Sequence, residues 1–416
     1  MIYIPFAYFL GLTIYMRRKE QRWSMGCAAA SILVLISFFA ILVDSLDLYG
    51  QFGINEKAYT LPTLLLFCFQ WTITLLPLHY ISKLEIKTIP HDKERLLHIF
   101  IWILIAAAFL VLFSFASDIL KILSSGDFHS VRADHYDDMR NPFDDGKRNY
   151  FMVLPALLVS SCFQVFSLIL AMYIFTFNAE KTRLGILMLF ISTIGIILSI
   201  NMAGRASIIY WFFHFYLVYS LFLPHIDKSI KRKIVITIGI LSGIIILLLL
   251  AITFSRFDDG GKNALESLIG YAGQHINNFC AAISFGGNSP HSSERIFPLV
   301  NKLLNQHTFY LADHYDRIES ALPIMVHNFD TFGAEVYLDF GWLGYFICML
   351  CIAIIGIIVK NKWQSIEFYQ LFILAIFINF YNYGLFAWPL IGHYTTASVL
   401  LSLIICVLFR YKVKFK

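Results

Sequence analysis

Residues 341–359 read GWLGYFICMLCIAIIGIIV, a run that contains no charged side chain and is followed by Lys360. A helix of this length crosses the ~30 Å hydrocarbon core of a bilayer, because each helical residue adds ~1.5 Å. Outward from this run, comparable stretches recur along the chain. They lie at 1–16, 25–45, 60–82, 97–123, 151–177, 184–201, 206–223, 234–255, 341–359, 366–386 and 393–410. The sequence therefore predicts an all-α polytopic membrane protein with about eleven transmembrane helices and a large outer loop.

The composition points to the same class. The 416 residues are 58% hydrophobic and 14% charged, whereas soluble domains carry about 25% charged residues. The net charge of +5 predicts no nucleic-acid partner, because most of the basic residues lie in short connections between the apolar runs. The first run passes directly into Arg17-Arg18-Lys19, which favours a span over a cleaved signal peptide. The cysteine spacing predicts neither a disulfide framework nor a zinc site.

Basic residues divide the connections into two sets, and the positive-inside rule places the richer set in the cytoplasm. Its members are Arg17, Arg18, Lys19, Arg22, Lys83, Lys87, Lys93, Arg95, Lys181, Arg183, Lys228, Lys231, Arg232, Lys233, Lys360, Lys362, Arg410, Lys412, Lys414 and Lys416. Two long loops, roughly 124–150 and 256–340, then face outside with the N-terminus, and only the N-terminus changes side if the first run does not cross the membrane. The predicted organisation is a bundle of spans over 1–255, a large periplasmic loop with short helices over 256–340, and further spans over 341–416. The cytoplasmic loops are too short for a nucleotide-binding domain, and no GxxxxGK[ST] loop occurs.

Arginines beside apolar runs are the first candidate site residues. Arg205 lies between two spans, where a guanidinium costs roughly 2.5–3.5 kcal/mol at the centre of a membrane and less near its surface. It either binds an anion or extends to lipid headgroups. Arg256 directly follows a span, and Arg295 and Arg317 lie in the long loop. All are candidates because guanidinium groups bind phosphate through paired hydrogen bonds.

Proton-transfer candidates lie toward the end of the long loop. The segment runs from His327-Asn328 through Tyr337-Leu338-Asp339 to Gly341-x-x-Gly344. Asp339 is a candidate general base and equally a candidate N-cap for a helix that begins near Gly341. His327-Asn328 takes part in the chemistry or orients the loop. His314, in an Ala-Asp-His-Tyr-Asp pentapeptide that recurs at 133–137, is a further candidate base.

Polar and aromatic side chains also gather where the last two spans connect. They are Asn379, Tyr381, Asn382, Tyr383, His393, Tyr394 and Thr395. Tyrosines at this level are typical of an aromatic belt at the membrane surface. A carbohydrate-facing wall would use the same residues, so both interpretations stay open.

The pattern from His327-Asn328 to Gly341-x-x-Gly344, opening a span after a large outer loop, resembles the Wzy-type polymerases of O-antigen and capsule repeat units. It is also similar to the related O-antigen ligases, which carry a His-Asn pair upstream of a Gly-x-x-Gly span start. Gly204-Arg205-Ala206 resembles the Gly/Ser-Arg element of this superfamily. The ligase pattern places its glycine closer to the His-Asn pair, which favours the polymerase branch.

This resemblance implies a multi-pass glycosyltransferase of the GT-C-like, metal-independent class in the bacterial inner membrane, without a cofactor. It would build lipopolysaccharide or capsule from glycans on undecaprenyl pyrophosphate, which serve as both donor and acceptor. A flippase and a chain-length regulator are implied partners, besides membrane lipids. The catalytic residues implied are Arg205, His327, Asp339 and His314. The residues implied to bind pyrophosphate and glycan are Arg205, Arg256, Arg295, Arg317, Asn328 and Tyr337.

Two other functions remain open from the sequence. A transporter or flippase for a lipid-linked glycan would use Arg205 as a counter-charge, although such proteins carry related halves and the chain has no convincing internal repeat. A ligase would transfer the finished glycan to another acceptor. The sugar identities, the linkage and the oligomeric state are not encoded in any recognisable spacing.

Overall fold

The computed structural model describes residues 1–125, 153–159, 161–200, 205–257, 264–289, 296–305, 311–326, 330–390 and 393–411. The helices are α1 (Tyr3–Glu20), α2 (Met25–Ser45), α3 (Leu61–Ile81), α4 (His91–Ser125), α5 (Val153–Val159), α6 (Ser161–Phe177), α7 (Thr182–Ile191), α8 (Ile194–Ile200), α9 (Ala206–Phe222), α10 (Lys228–Phe257), α11 (Ala264–Phe285), α12 (Pro298–Asn305), α13 (Leu311–Ala321), α14 (Thr331–Lys362), α15 (Gln370–Gly384) and α16 (His393–Arg410). Single 3₁₀ turns occur at Ala179–Lys181 and Gly286–Asn288. Two-residue strands β1 (Glu85–Ile86) and β2 (Ser365–Ile366) form a two-stranded sheet. The predicted all-α class is confirmed.

Several helices have the length and composition of membrane spans. Among the described residues, six candidate spans are long and apolar enough to cross a membrane: α2, α3, α4, the α7–α8 pair, α10 and α14. Three shorter apolar helices coincide with α6, α9 and most of α16. The chain is therefore a helical protein with membrane-spanning character. The full set of eleven spans stays a prediction.

The chain divides into two compact units. The first unit contains residues 1–85, 265–365 and 377–396. In it α1 and α2 pack along each other, and α3 packs along α14. The Trp71 ring meets the rings of Phe332 and Tyr381 edge-on, at centroid distances of 5.6 and 5.5 Å. The Tyr381 hydroxyl also donates to the Ala29 carbonyl at 2.6 Å, which joins α15 to α2.

The second unit contains residues 86–264, 366–376 and 397–416. Helix α6 lies at its centre, because every side chain from 161 to 175 is buried. The rings of Phe166 and Phe372 stack at 3.8 Å, and Phe409 packs on Phe372 at 5.4 Å. Phenylalanine in this unit therefore forms a packed core between helices.

Two predicted spans are interrupted. The run 151–177 forms α5 and α6, and the run 184–201 forms α7 and α8 with a turn at 192–193. Polar side chains from neighbouring helices bind Ser192 at that turn, one through its carbonyl and one through its hydroxyl. Gln164 Nε2 donates to the Ser192 carbonyl at 3.0 Å, and Trp211 Nε1 donates to the Ser192 hydroxyl at 3.0 Å. A break in an apolar helix is tolerated when neighbouring side chains satisfy the freed groups.

Several segments that connect helices, and that the charge pattern assigns to the cytoplasmic side, contact each other. In the first unit, Arg22 donates to the Ser82 carbonyl at 2.8 Å, and Lys360 lies 5.6 Å from the Tyr80 ring centre. In the second unit, Lys87 pairs with Glu367 at 2.7 Å. The alternation of the predicted topology stays a prediction. The predicted boundaries at 255 and 340 separate transmembrane segments from a loop, whereas the two compact units are defined by packing. These boundaries therefore stay a prediction.

Candidate functional site

Helix α14 consists of two parts that meet at Gly341. Gly341 has φ 64° and ψ −162°, a conformation that only glycine adopts readily. Every residue from 331 to 339 is buried, whereas many large apolar side chains after Gly341 are exposed. The part before Gly341 is therefore a separate interior helix, here called the buried helix (331–340).

The buried helix begins with an unusual backbone. Thr331 has φ 71°, a value that β-branched residues rarely adopt. Gln70 of α3 donates from Nε2 to the Thr331 hydroxyl at 3.4 Å. A Cβ atom at Gly333 would lie only 1.9 Å from Gln70 Oε1, so α3 and the buried helix approach each other closely at this glycine. The sequence run before Gly341 did not reveal this contact.

Three carboxylates lie in or beside the buried helix. Asp330, Glu335 and Asp339 are each at most 1% exposed. Glu335 and Asp339 are four residues apart, so they project from the same face. Carboxylates held away from water in an apolar protein are candidates for proton transfer and binding.

Glu335 connects the buried helix to the connection between α15 and α16. Its Oε2 accepts a hydrogen bond from the Trp388 backbone N–H at 2.5 Å. The Trp388 indole in turn donates to the Ile296 carbonyl at 3.0 Å. A single carboxylate therefore fixes Trp388, which reaches a segment of the long loop.

A helix begins near Gly341 as expected, because the backbone breaks there, but Asp339 is not at its N-cap, since it lies two residues earlier inside the buried helix. Helix α14 begins at Thr331, its N-cap position is Asp330, and Asp339 lies inside it. The polar sequence before Gly341 forms the buried helix, and the apolar helix follows after the break at Gly341. Asp339 stays a candidate base in this different position. His327 and Asn328 lie outside the described residues.

Tyr337, a predicted glycan-binding residue, is buried. Its ring lies 4.7 Å from the Trp342 ring on the other side of Gly341. A Cβ atom at Gly286 would lie 3.0 Å from the Tyr337 ring. Tyr337 therefore packs the bend of α14 against the turn at Gly286. Its predicted contact with glycan stays a prediction.

An asparagine cluster holds α11 to the connection between α2 and α3. The Asn55 backbone N–H donates to Asn278 Oδ1 at 2.9 Å, and Asn277 Nδ2 donates to the Asn55 carbonyl at 2.7 Å. The Met325 backbone N–H donates to Asn55 Oδ1 at 2.6 Å. We call these residues the asparagine clamp (Asn55, Asn277, Asn278). It fixes α11, part of the predicted long loop, to a second predicted outer connection.

Arg205 belongs to the second unit. It directly precedes α9, at the N-cap position, and its side chain is only 7% exposed. Its carbonyl accepts from the Ile208 backbone N–H at 3.2 Å. A guanidinium stays charged at all relevant pH values, so this position places a permanent positive charge inside an apolar helical protein.

The remaining predicted site residues have different positions. Arg256 lies in the last turn of α10, and His314 lies in α13, but neither side chain is among those described. Arg317 is exposed on α13. Arg295 lies outside the described residues. In the first unit the structure brings Tyr337 and Asp339 onto one helix, and it adds Asp330, Glu335 and Gln70.

Sequence reasoning missed Glu335, Asp330, Gln70 and the asparagine clamp. One available signal was the pair of acids at 335 and 339, a helical spacing directly before an apolar run. Among the described residues, no group of three or more His, Cys, Asp or Glu side chains is arranged to hold a metal ion. Comparison with protein-family models, curated proteins and solved structures gives no match.

Proposed function

We propose that the chain polymerises undecaprenyl-pyrophosphate-linked oligosaccharide repeat units into O-antigen or capsule polysaccharide at the outer face of the bacterial inner membrane. This proposal includes the eleven-span topology and the GT-C-like class. The observation that carries it is Arg205, a charge retained at the start of a helix inside an apolar protein. Charged residues at such positions are costly and are characteristic of substrate and ion sites.

The proposed reaction matches these residue types. The acceptor sugar hydroxyl attacks the anomeric carbon of the donor, the bond from that carbon to the pyrophosphate oxygen breaks, and the pyrophosphate departs with the electron pair. Negative charge grows on the leaving group, so Arg205 and Arg256 are assigned to it. Fixed positive charge opposite developing negative charge is often the largest catalytic contribution. The energy comes from the lipid pyrophosphate bond, so the reaction needs no nucleotide.

A carboxylate has to accept the hydroxyl proton. Asp339 is the proposed base, because it is buried on the same helix face as Glu335. Glu335 accepts a backbone N–H from Trp388 and is assigned a positioning role. His327 and His314 remain the alternative bases.

The test is complementation of a deletion in the host. The strain receives the wild type, Arg205→Ala, Arg205→Lys or Arg183→Ala, and the extracted surface glycans are resolved on a gel. Arg183 is the matched control, because it is an exposed arginine at the start of α7. Protein levels in the membrane are measured in parallel.

We expect a full ladder with the wild type and Arg183→Ala, and single repeat units with Arg205→Ala. Arg205→Lys should recover only part of the ladder, because an ammonium cannot form the paired hydrogen bonds of a guanidinium. Normal long chains with Arg205→Ala at wild-type protein level would overturn the proposal. In the deletion strain, long glycan trapped on the prenyl carrier would indicate a ligase, and no glycan outside would indicate a transporter.

A further inference from the structure

Helix α12 carries an exposed apolar face within the segment predicted to be an aqueous loop. Phe297, Val300 and Leu304 are 50%, 47% and 75% exposed. Their spacing of three and four residues puts them on one side of a helix. Ile296, by contrast, is buried, and its carbonyl accepts the Trp388 indole. The helix is thus attached to the first unit on one side and presents apolar side chains on another.

This face is continuous with the lipid-facing surface of α14. The Phe297 ring lies 6.1 Å from the ring of Phe340, the residue before the bend at Gly341. After the bend, α14 is a candidate membrane span. Its exposed large side chains follow a helical stripe: Leu343, Phe346, Ile347, Leu350, Ile354, Ile357 and Ile358. A stripe of this kind on a membrane span faces lipid.

Trp342 marks the level of the membrane surface on the same helix. It is 45% exposed and directly follows Gly341. Exposed tryptophans at the end of a span lie at the headgroup level, where their ring is apolar and their N–H stays near water. Phe297 contacts Phe340 at about this level, so α12 begins where the bilayer surface is expected.

We infer that α12 is an interfacial helix, and that lipid of the bilayer covers Phe297, Val300 and Leu304. Short amphipathic helices bind in the plane of the interface with their apolar face in the acyl-chain boundary. Lipid is favoured as the occupant because the face continues a stripe that a membrane span already exposes to lipid. The lipid boundary of the protein therefore extends over part of the long loop, beside the end of the buried helix.

The test uses the full chain in phospholipid nanodiscs with one spin label at a time. The background carries Cys348→Ser and Cys351→Ser, because these are the two cysteines that are not buried. The label is placed at Leu304→Cys and, independently, at Val300→Cys. Leu350→Cys on α14 is the lipid control, and Ser320→Cys, exposed on α13, is the aqueous control. Collision rates are measured with oxygen, which concentrates in lipid, and with a water-soluble nickel chelate.

We expect the ratio of oxygen to nickel collisions at 304 and 300 to match that at 350 and to exceed that at 320 several-fold. A ratio equal to that at 320 would mean that α12 faces water and would overturn the inference. Low collision rates with both reagents, together with spin–spin broadening, would also overturn it, because a second copy of the chain would then cover the face. Each singly labelled variant must elute as a single species, which shows that the collision rates are measured on the folded chain.

Discussion

At the scale of the residue, the buried polar side chains are the best indicators of a structural or functional role. In an apolar protein each such group is expensive, so its position is constrained by a partner or by a function. Glu335 shows the first case, because it holds the Trp388 backbone N–H. Arg205 is the strongest candidate for the second. His275 is a third buried polar residue, and its chemistry gives a direct test of the fold.

His275 makes stability depend on pH. It lies on α11 with its ring edge-on to Phe386, at a centroid distance of 4.7 Å, and burial lowers its pKa from 6.5 to about 3. Between about pH 6.5 and pH 3, His275 is protonated in the unfolded chain and neutral in the folded chain. Stability must therefore fall as the pH drops through this window, by up to about 1.4 kcal/mol per pH unit.

Thermal unfolding of the detergent-purified protein between pH 7.5 and 4.5 measures this effect. His275→Leu should reduce the slope between pH 6.5 and 4.5, because one buried histidine is removed. The control is His91→Gln, because the His91 side chain is 96% exposed, and this variant should retain the wild-type slope. Equal slopes for wild type and His275→Leu would mean that His275 is not buried in solution.

The site was only partly predictable at this scale. Arg205 and Asp339 were identified from the sequence because a charge beside an apolar run stands out. Glu335 and Gln70 were not, because their significance depends on neighbours from distant parts of the chain. Gln70 meets Thr331, and Glu335 meets Trp388, across separations that no local pattern encodes.

At the scale of the element, α11 and the buried helix are the features that the sequence concealed. Both carry enough polar residues to resemble a solvated loop, and the prediction placed them in one. The structure buries these residues by pairing them, as in the asparagine clamp. Apolar helices were predicted well, because a continuous hydrophobic run has few alternatives to a helix in lipid. The left-handed backbone at Ser161 and the turn at 192–193 were missed, because a serine or threonine does not interrupt a hydrophobic run.

Gly273 sets the distance between α11 and α2. A Cβ atom there would lie 2.5 Å from the Phe39 carbonyl oxygen and 2.6 Å from its carbonyl carbon. Backbone atoms cannot move aside by rotation of a side chain, so Gly273→Ala should force the helices apart. We expect a loss of about 1–3 kcal/mol, the usual cost of an overpacked contact.

The matched control is Gly239→Ala on α10, where an added Cβ atom meets nothing within 4 Å. That variant should be neutral or slightly stabilising, because alanine favours helices by about 1 kcal/mol over glycine. The melting temperatures of both variants are measured in the same detergent, and that of Gly273→Ala should be the lower. Equal melting temperatures would contradict the close approach of α11 to α2.

At the scale of the whole molecule, the helical membrane class could be predicted because long hydrophobic runs recur along the chain, whereas the order and sides of all the spans stay a prediction. The arrangement inside each unit could not, because it depends on close contacts such as the one at Gly333. The side of the membrane on which each polar contact lies also stays a prediction. Asn55 lies in a connection assigned to the outside, and its partners Asn277 and Asn278 lie in the segment assigned to the outer loop.

The side of the membrane on which the asparagine clamp lies can be measured by labelling two residues that flank α3. Gln51 precedes this helix and Lys83 follows it, and both are exposed. On a background with Cys348→Ser and Cys351→Ser, Gln51→Cys should react with a membrane-impermeant maleimide in intact spheroplasts. Lys83→Cys should react only after the membrane is opened.

Because Asn55 shares the connection of Gln51 and bonds to α11, labelling at position 51 reports the side of α11 as well. The reverse labelling pattern would place the clamp in the cytoplasm, and an acceptor on the outer face would then have no access to this end of the protein.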